Sequence, residues 1–456
     1  MHPFLILLAG LAVILVAIVG LRVHAFLALL GAAILVSFLA PGDDLTRISR
    51  VAEAFGRMTG SVGIVIALAA IVGTAMTDSG AADRIVAAFL RVLGEKRDAV
   101  ALGATSFVLS LPVFFDTVFF LLAPLARSMH ARTKRHYLKY LLAMCASGVA
   151  THTLVPPHPG PLGVADTLHV DLGLMILMGI AISVPSSIVG FAFGTWIDRR
   201  MDVPMRFPVV EGAQAAAEKR MPPLVLAVLP VVLPVILIAT GTMVEAMRVW
   251  MPARMELWNA LRPVTSVLGN PNFAMFISAA LALMLMVRQR QSGAAEIAAV
   301  VDRAIMGAGA VILIVAAGGA FGAMLQAAKI GPAIQVLFAG GRGQPGLSVL
   351  LLAFAITVVI KVAQGSSTVA MITTAGMMSA MLSDVVLPFH LVYLCTAISS
   401  GSLVGSWMND AGFWVFSRIG GVTELETLRS WTPLSAIVGL TSLVTTLTLA
   451  TVLPLR

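Results

Sequence analysis

The chain has 456 residues, of which 59% are hydrophobic and 11% are charged. This composition lies far outside the range of soluble domains and predicts a polytopic membrane protein. The net charge of +8 is interpreted as topology, because Lys and Arg collect in cytoplasmic loops, and we expect no nucleic-acid partner. Cys145 and Cys395 each lie in an apolar run, which excludes a disulfide framework and a cysteine metal site. We expect neither a metal nor a cofactor.

The first half, residues 1–200, is expected to hold five spans. They are placed at Phe4–Val19, Arg22–Leu39, Gly60–Thr77, from Tyr137 outwards, and at Leu172–Trp196. Apolar runs of similar length recur to the C-terminus, so the first is interpreted as a span and not as a cleaved signal peptide. A mixed-charge loop is expected at 41–57 and an interfacial helix at Ala82–Leu93.

A proline interrupts the apolar stretch Asp98–Ala126, and basic residues flank the stretch on both sides. By the positive-inside rule both of its ends lie on the cytoplasmic side. Each arm is shorter than the roughly 20 residues that a span needs. We therefore predict a re-entrant hairpin that enters from the cytoplasm, with its tip at Leu111–Thr117.

The second half, residues 221–456, follows a central cytoplasmic linker at 201–220. Its spans are predicted at Pro223–Thr240, Asn272–Val287, Ala304–Leu325, Tyr393–Trp407 and Thr432–Leu453, with a short helix after Gly331. The broken apolar stretch at 347–383 is predicted to be a second re-entrant hairpin, open to the outer side. The total is ten spans and two hairpins, with both termini outside.

The two halves also align with each other. A shift of 251 positions pairs Asp116 with Ser367, Thr117 with Thr368, Val118 with Val369 and Gly80 with Gly331; one position more pairs His158 with Asp410 and Gly160 with Gly412. An odd number of crossings in each half then predicts two repeats of opposite orientation. The predicted fold is an all-α polytopic membrane protein with inverted-topology repeats, re-entrant hairpins and discontinuous helices.

Another interruption lies at Thr151–Gly163, where four prolines and two glycines cannot continue a helix. At the middle of a bilayer, such a segment must line a polar cavity, because its free backbone groups need partners. A surface loop between two spans is the alternative.

Polar side chains mark the other breaks. Asp116 lies at the first hairpin tip, where an intramembrane carboxylate is costly and is usually paired, protonated or functional. The second hairpin and the last break supply further candidates for the site, and these are Lys361, Gln364, Gly365, Ser366, Ser367, Thr368, Asn409 and Asp410. Their hydroxyl and amide groups suit a hydroxylated ligand, and Lys361 suits an anion. The alternatives are helix-to-helix hydrogen bonds, a snorkelling lysine, and neutralisation of Asp116 by Lys361.

The segments Thr151–Pro161, Lys361–Ala370 and Ser406–Trp414, together with Phe114-Phe115-Asp116, resemble the signature stretches of the gluconate permease family of proton-coupled symporters. The resemblance implies a rigid scaffold part and a moving transport part within the ion-transporter superfamily. It also implies elevator-like uptake of a gluconate-like sugar acid with a proton across a bacterial inner membrane, as a homodimer. Asp116 and Ser367 depart from the family pattern, which often has Glu and Ala there.

A mechanism follows from the residues. Helix N-termini at the breaks favour a carboxylate, while Thr117 and the hydroxyl and amide side chains bind the substrate. An incoming anion favours protonation of a nearby desolvated carboxyl group, so substrate and proton load together. Asp116 is the first candidate for proton coupling, Asp410 and His158 follow, and His152 is weaker.

Three other functions stay open. A sodium-coupled transporter would hold the ion on free carbonyl groups around Gly365 and Gly405, and a D-serine or glycerate permease would use the same hydroxyl-rich site. A channel is a third option. An intramembrane enzyme is disfavoured, because the sequence has no His-Glu-x-x-His motif, serine nucleophile elbow or phosphate loop.

Overall fold

The structure of the protein is a computed structural model. It covers residues 3–93, 97–133, 136–206, 221–250, 255–291, 293–329, 346–382, 385–408 and 410–455. Within these ranges the chain is helical and contains no strand. The predicted linker at 201–220 lies largely outside them, as does the short helix expected after Gly331.

The first half forms nine α-helices in the described ranges. They are α1 Pro3–Leu15, α2 Ala25–Leu39, α3 Ser49–Asp78, α4 Ala81–Leu93, α5 Asp98–Leu109, α6 Phe115–Thr133, α7 Tyr137–Leu154, α8 Pro159–Thr167 and α9 Leu172–Asp198. A π-helical turn, Val16–Gly20, follows α1. The N-terminus of α9 is capped by Asp171, whose carboxylate accepts a hydrogen bond from the Leu174 N–H at 2.8 Å.

The second half forms nine more within the described residues. They are α10 Leu224–Trp250, α11 Met255–Leu268, α12 Pro271–Arg290, α13 Ala294–Ala327, α14 Leu347–Gln364, α15 Ser367–Met381, α16 Val392–Gly401, α17 Ala411–Gly420 and α18 Glu424–Val452. A capping box starts α18: Thr423 accepts from the Glu426 N–H at 3.3 Å, and Glu426 accepts from the Thr423 N–H at 2.8 Å.

Seven helical stretches of the described chain are long and apolar enough to cross a membrane, which confirms a polytopic membrane protein. They are Ser49–Asp78, Tyr137–Thr167, Leu172–Asp198, Leu224–Glu245, Pro271–Arg290, Ala294–Ala327 and Glu424–Val452. Three further predicted spans correspond to the shorter helices α1, α2 and α16.

Several predicted boundaries were wrong. The expected loop at 41–57 is helical from Ser49 onwards, because α3 continues past its apolar part into charged residues. The second arm of the first predicted hairpin extends to Thr133, and α11 and α17 were not predicted. Helix α17 has ten residues, too few for a search based on the length of a span.

Corresponding helices of the two halves pack in corresponding ways. Helix α2 packs on α13 and α12 packs on α3, while α8 packs on α15 and α17 packs on α6. Within the first half α5 packs on α7, and within the second half the corresponding helices α14 and α16 pack in the same way. Helix α9 contacts its counterpart α18. The breaks α7–α8 and α16–α17 are thereby brought next to the breaks α5–α6 and α14–α15.

One contact has no close counterpart among the described helices. Helix α15 lies directly on α13, where Gly376 and Gly322 face each other so closely that a Cβ atom on Gly376 would lie 2.8 Å from the Gly322 Cα. Ile372 packs against Gly318 one turn away. The absence of side chains at these positions lets the two backbones approach.

Candidate functional site

A cavity of about 340 Å³ lies where the helix breaks meet, within the size range of small-molecule sites. The N-terminal ends of α6, α15 and α17 all reach it, and the C-terminal end of α7 forms another part of its wall. The first N–H groups of a helix have no partner within the helix, and its N-terminus carries a partial positive charge, so the arrangement favours an anion.

The first break contributes Asp116. Helix α5 ends at Leu109 and α6 begins at Phe115, which places Asp116 in the first turn of α6. The residue is exposed to the cavity, and no described residue forms a hydrogen bond or ion pair with its carboxylate. Asp116 is therefore a carboxylate that a ligand or a proton can reach.

The second break is a sharp turn between α14 and α15. Gly365 has φ +88°, a conformation that L side chains rarely adopt. Ser366 caps α15 by accepting a hydrogen bond from the Val369 N–H at 3.3 Å, and Ser367 Oγ donates to the Ser402 carbonyl at 2.9 Å. The turn holds Ser366, Ser367 and Thr368 on the cavity wall.

Lys361 lies behind this wall and not on it. Its side chain is completely buried, and its Nζ donates to Asp410 Oδ2 at 2.9 Å and to the Gly365 carbonyl. Asp410 also accepts from Ser406 Oγ and from the Gly412 N–H, and thereby caps α17. Lys361 thus neutralises Asp410 and not Asp116.

Trp431 connects the same network to an aromatic cluster. Its Nε1 donates to Ser406 Oγ at 2.7 Å, and its ring packs at 5.6 Å from the rings of both Phe115 and Phe416. Phe416 in turn lies 5.8 Å from Phe119. These contacts tie α6, α17 and α18 together directly beside Asp116 and Asp410.

Two histidines meet next to the first break. The ring centroids of His152 and His158 are 4.0 Å apart, and Phe114 packs against both rings. His158 Nε2 is 2.6 Å from the Ser110 carbonyl and the side chain is buried. His152 lines the cavity, whereas His158 lies behind it.

The predicted site residues therefore divide into groups by position. Those that line the cavity are Asp116, Gly365, Ser366, Ser367, Thr368 and Asp410. Thr117 lines a neighbouring cavity, and Lys361 and His158 lie behind the wall. Gln364 ends α14 in a position where only its backbone is described, and Asn409 lies outside the described residues.

Sequence reasoning missed part of the wall. Thr153, Ser402, Ser406, Trp431 and Ser435 also line the cavity, and His152 was ranked below His158. Thr153 and His152 belong to the proline-rich segment that was singled out. Ser402, Ser406 and Ser435 carried a weaker signal, because hydroxyl groups are common in membrane helices and usually bond to their own helix.

A second cavity, of about 490 Å³, adjoins the first, and Asp116 lines both. Its wall comes from the C-terminal part of α3, the first break and the N-terminal part of α13. Arg303 on α13 lies on this wall and donates to Asp78 Oδ2 on α3 at 2.7 Å. Arg290, at the end of α12, lies 3.9 Å from Asp78 Oδ1.

Broken helices around a polar cavity, inside a bundle of membrane spans, are the architecture of a secondary transporter. The family model described as GntP family permease matches residues 2–453, so the chain belongs to the GntP family of permeases. It is similar to the inner membrane permease YgbN of Escherichia coli K12, with 33% identity over 453 residues that cover 97% of each chain.

Other relatives are similar over almost their full length. The gluconate permease of Pseudomonas aeruginosa is 31% identical over 465 residues, with 99% of each chain covered. The Gnt-II system L-idonate transporter of E. coli K12 is 30% identical over 452 residues, covering 99% of this chain and all of the relative. The relatives are permeases and transporters, which confirms that the chain is a transporter and not an enzyme. It is a multi-pass protein of the bacterial inner membrane.

Two solved structures share the fold at low sequence identity. The MtrF efflux pump of Neisseria gonorrhoeae superimposes with a TM-score of 0.66 at 15% identity, over 95% of this chain and 96% of the pump. The YdaH transporter of Alcanivorax borkumensis superimposes with a TM-score of 0.60 at 14% identity, over 94% and 98% of the two chains. The architecture of α1–α18 is thus that of known transporters.

Proposed function

We propose that this protein imports a gluconate-like sugar acid together with a proton, and that Asp116 carries the proton. The observation that supports this most is the cavity itself, where an unpaired carboxylate shares one wall with three helix N-termini and a row of hydroxyl groups. Gluconate and L-idonate, which appear in the names of relatives, are hydroxylated monocarboxylates of the kind that such a wall suits.

The substrate carboxylate is assigned to the helix N-termini. None of the described residues that line the cavity is Lys or Arg, and the nearby Lys361 is already paired with Asp410. Backbone N–H groups of α15 and α17 therefore supply the positive potential, as in other transporters with broken helices. Ser366 and Thr368 are assigned to substrate hydroxyl groups.

Coupling follows from the balance of charge. Asp116 and Asp410 bring two negative charges to the cavity, and Lys361 balances only that of Asp410. An ionised Asp116 would repel the substrate in a medium that screens charge poorly. A proton on Asp116 removes this repulsion and leaves a neutral carboxyl group that donates a hydrogen bond. Substrate and proton then bind together and are released together.

The architecture proposed for this cycle has two inverted repeats, residues 1–200 and 221–456, joined by the linker at 201–220. The reciprocal packing of α2 on α13 with α12 on α3, and of α8 on α15 with α17 on α6, supports a two-fold relation between them. The two re-entrant hairpins, α5–α6 and α14–α15, belong to the same proposal, as does a homodimer. In alternating access, the two repeats then exchange conformations, and the cavity opens to the opposite side of the membrane.

The conformation described here is assigned to the inward-facing state. Arg288 and Arg290 lie in the last turn of α12, where Arg290 approaches Asp78 at the border of the second cavity, and the positive-inside rule assigns this end to the cytoplasm. On the α15 side, the contact between Gly376 and Gly322 leaves no passage. In the proposed elevator-like movement, the helix breaks that form the cavity move together relative to α3 and α13. The cavity then opens to the outer side.

Sodium coupling is the competing proposal. It needs free carbonyl oxygens at the second break, but the Gly365 carbonyl already accepts a hydrogen bond from Lys361. Uptake measured at fixed pH with and without sodium separates the two: proton coupling predicts equal rates, and sodium coupling predicts uptake only with sodium.

The substrate class is tested by thermal-shift screening of the purified protein with gluconate, idonate, glycerate and D-serine. We expect stabilisation by the sugar acids, because a ligand that binds only the folded state raises the melting temperature, and does so more as its concentration exceeds the Kd. A melting temperature that responds only to D-serine, or to none of the four compounds, contradicts the proposal.

A further inference from the structure

His152 has a position in the structure to which the proposed function assigns no role. It lies in the last turn of α7 at the edge of the cavity, and it forms no hydrogen bond with any described residue. Its Nδ1 atom is buried among protein atoms without a partner. Buried polar atoms in native proteins almost always have partners, so this unpaired atom restricts the protonation states that the ring can adopt.

The surroundings of His152 determine which nitrogen carries its proton. A buried N–H without an acceptor costs more than a buried nitrogen lone pair without a donor. The neutral ring therefore keeps its proton on Nε2, the nitrogen that is not enclosed without a partner. In this tautomer His152 offers an N–H donor to the cavity without adding a charge.

His158 fixes the position of this donor. The Ser110 carbonyl can only accept a hydrogen bond, so the 2.6 Å contact requires a proton on His158 Nε2. The His158 ring is thereby attached to the end of α5, and it packs against the His152 ring at 4.0 Å. Phe114 contacts both rings from the first break. The orientation of His152 thus depends on the same break that presents Asp116.

We infer that His152 donates an Nε2–H hydrogen bond to the carboxylate of the bound sugar acid, and that His158 is a positioning residue for it. This inference rests on the proposed function and adds a specific contact to it. The described lining residues include two side chains with a ring N–H group, His152 and Trp431. Trp431 already donates to Ser406 Oγ, so His152 is the one without a partner among the described residues. It therefore recognises the acid group, while the serines and threonines recognise the polyol.

The test compares two ligands, gluconate and its neutral primary amide, by calorimetric titration of the purified full-length transporter. Loss of one charge-assisted hydrogen bond weakens binding by about 10- to 100-fold. We therefore expect His152→Ala to weaken gluconate by this factor and the amide much less, so that the ratio of the two affinities falls. A merely structural role for His152 would change both affinities together and leave the ratio unaltered.

Two conservative variants locate the donor atom. The amide nitrogen of Gln reaches about as far as Nε2, and that of Asn about as far as Nδ1, so His152→Gln should restore most of the gluconate affinity and His152→Asn should not. His158→Gln, which keeps a donor for the Ser110 carbonyl, should bind gluconate better than His158→Ala.

Val149→Ala, one turn earlier on the same cavity wall, is the control for loss of packing and should leave the ratio of the gluconate and amide affinities unchanged.

The outcomes of these titrations test the inference about His152 and the proposed function separately. If the wild-type protein binds gluconate and His152→Ala binds it equally well, or if Asn restores binding as well as Gln, the inference about His152 is wrong and the proposed function stands. If the wild-type protein binds neither gluconate nor other sugar acids, the proposed function fails and this inference fails with it.

Discussion

The breaks α5–α6 and α14–α15 occupy equivalent places in the two halves of the chain, yet they differ in both charge and packing. At the second break, the buried Lys361 is paired with Asp410, and α15 lies against α13 without a gap. At the first break, Asp116 has no described partner and borders two cavities. We interpret this difference as a division of roles, in which the second break holds the site together and the first break carries the proposed proton site.

Asp116→Asn should have the largest effect, because it removes the one carboxyl group at the first break that can gain and lose a proton. We expect proton-driven accumulation of gluconate in proteoliposomes to fall to the level of equilibration, while exchange of internal for external substrate continues in part. Asp116→Glu, which keeps a carboxyl group, is the matched control and should retain accumulation. Full accumulation by Asp116→Asn would show that coupling lies elsewhere.

Lys361→Met tests the opposite role for the second break. Breaking a buried ion pair leaves an uncompensated charge and costs about 3–5 kcal/mol, so we expect a large loss of unfolding free energy in detergent. The double variant Lys361→Met with Asp410→Asn removes both charges and should recover much of this loss. An unchanged stability of the single variant, combined with weaker gluconate binding, would instead make Lys361 a substrate ligand.

Gly376→Ala tests the close contact of α15 with α13. The added Cβ would lie 2.8 Å from the Gly322 Cα, so the helices must separate, at a cost of about 1–3 kcal/mol. Gly309→Ala on α13, where nothing lies within 4 Å of the new Cβ, is the control and should leave stability unchanged or slightly higher. Equal melting temperatures for the two variants would show that this contact is not tight.

Arg303→Gln should have the smallest effect on stability. The Arg303 side chain is 59% exposed, and exposed ion pairs contribute at most about 1 kcal/mol. We expect a change in unfolding free energy below this value, with Asp78→Asn giving a similar result. A loss as large as that of Lys361→Met would mean that the surroundings of the first break are held as firmly as those of the second break, which contradicts the comparison.

The positions of the breaks could be predicted from the sequence, because proline, glycine and clustered polar residues interrupt otherwise apolar runs. Asp116 and the Gln364–Thr368 segment were found in this way. The partner of Lys361 could not be predicted, since Asp410 is 49 positions away and reaches it only through the packing of α14 against α16. Which of His152 and His158 lines the cavity could not be predicted for a related reason.

These two histidines are six residues apart, and the bend between α7 and α8 decides which ring reaches the cavity. The sequence shows that the helix breaks at the prolines but not the direction in which the chain leaves the break. The Ser110 carbonyl, which holds His158 behind the wall, belongs to another helix pair. Side-chain direction at a helix break is thus set by tertiary contacts, which a single sequence does not reveal.

The central claim, that residues of both halves line one substrate cavity, is tested most directly by cysteine protection. The native cysteines are buried, so cysteines introduced at Asp116, Ser367 and Ala411, which are accessible from the cavity, report on its wall, and one at Thr74 reports on the second cavity. We predict that gluconate slows modification at the first three positions with one common half-saturation concentration and leaves Thr74→Cys unprotected. Protection confined to one half of the chain, or different half-saturation values in the two halves, would contradict a single shared site.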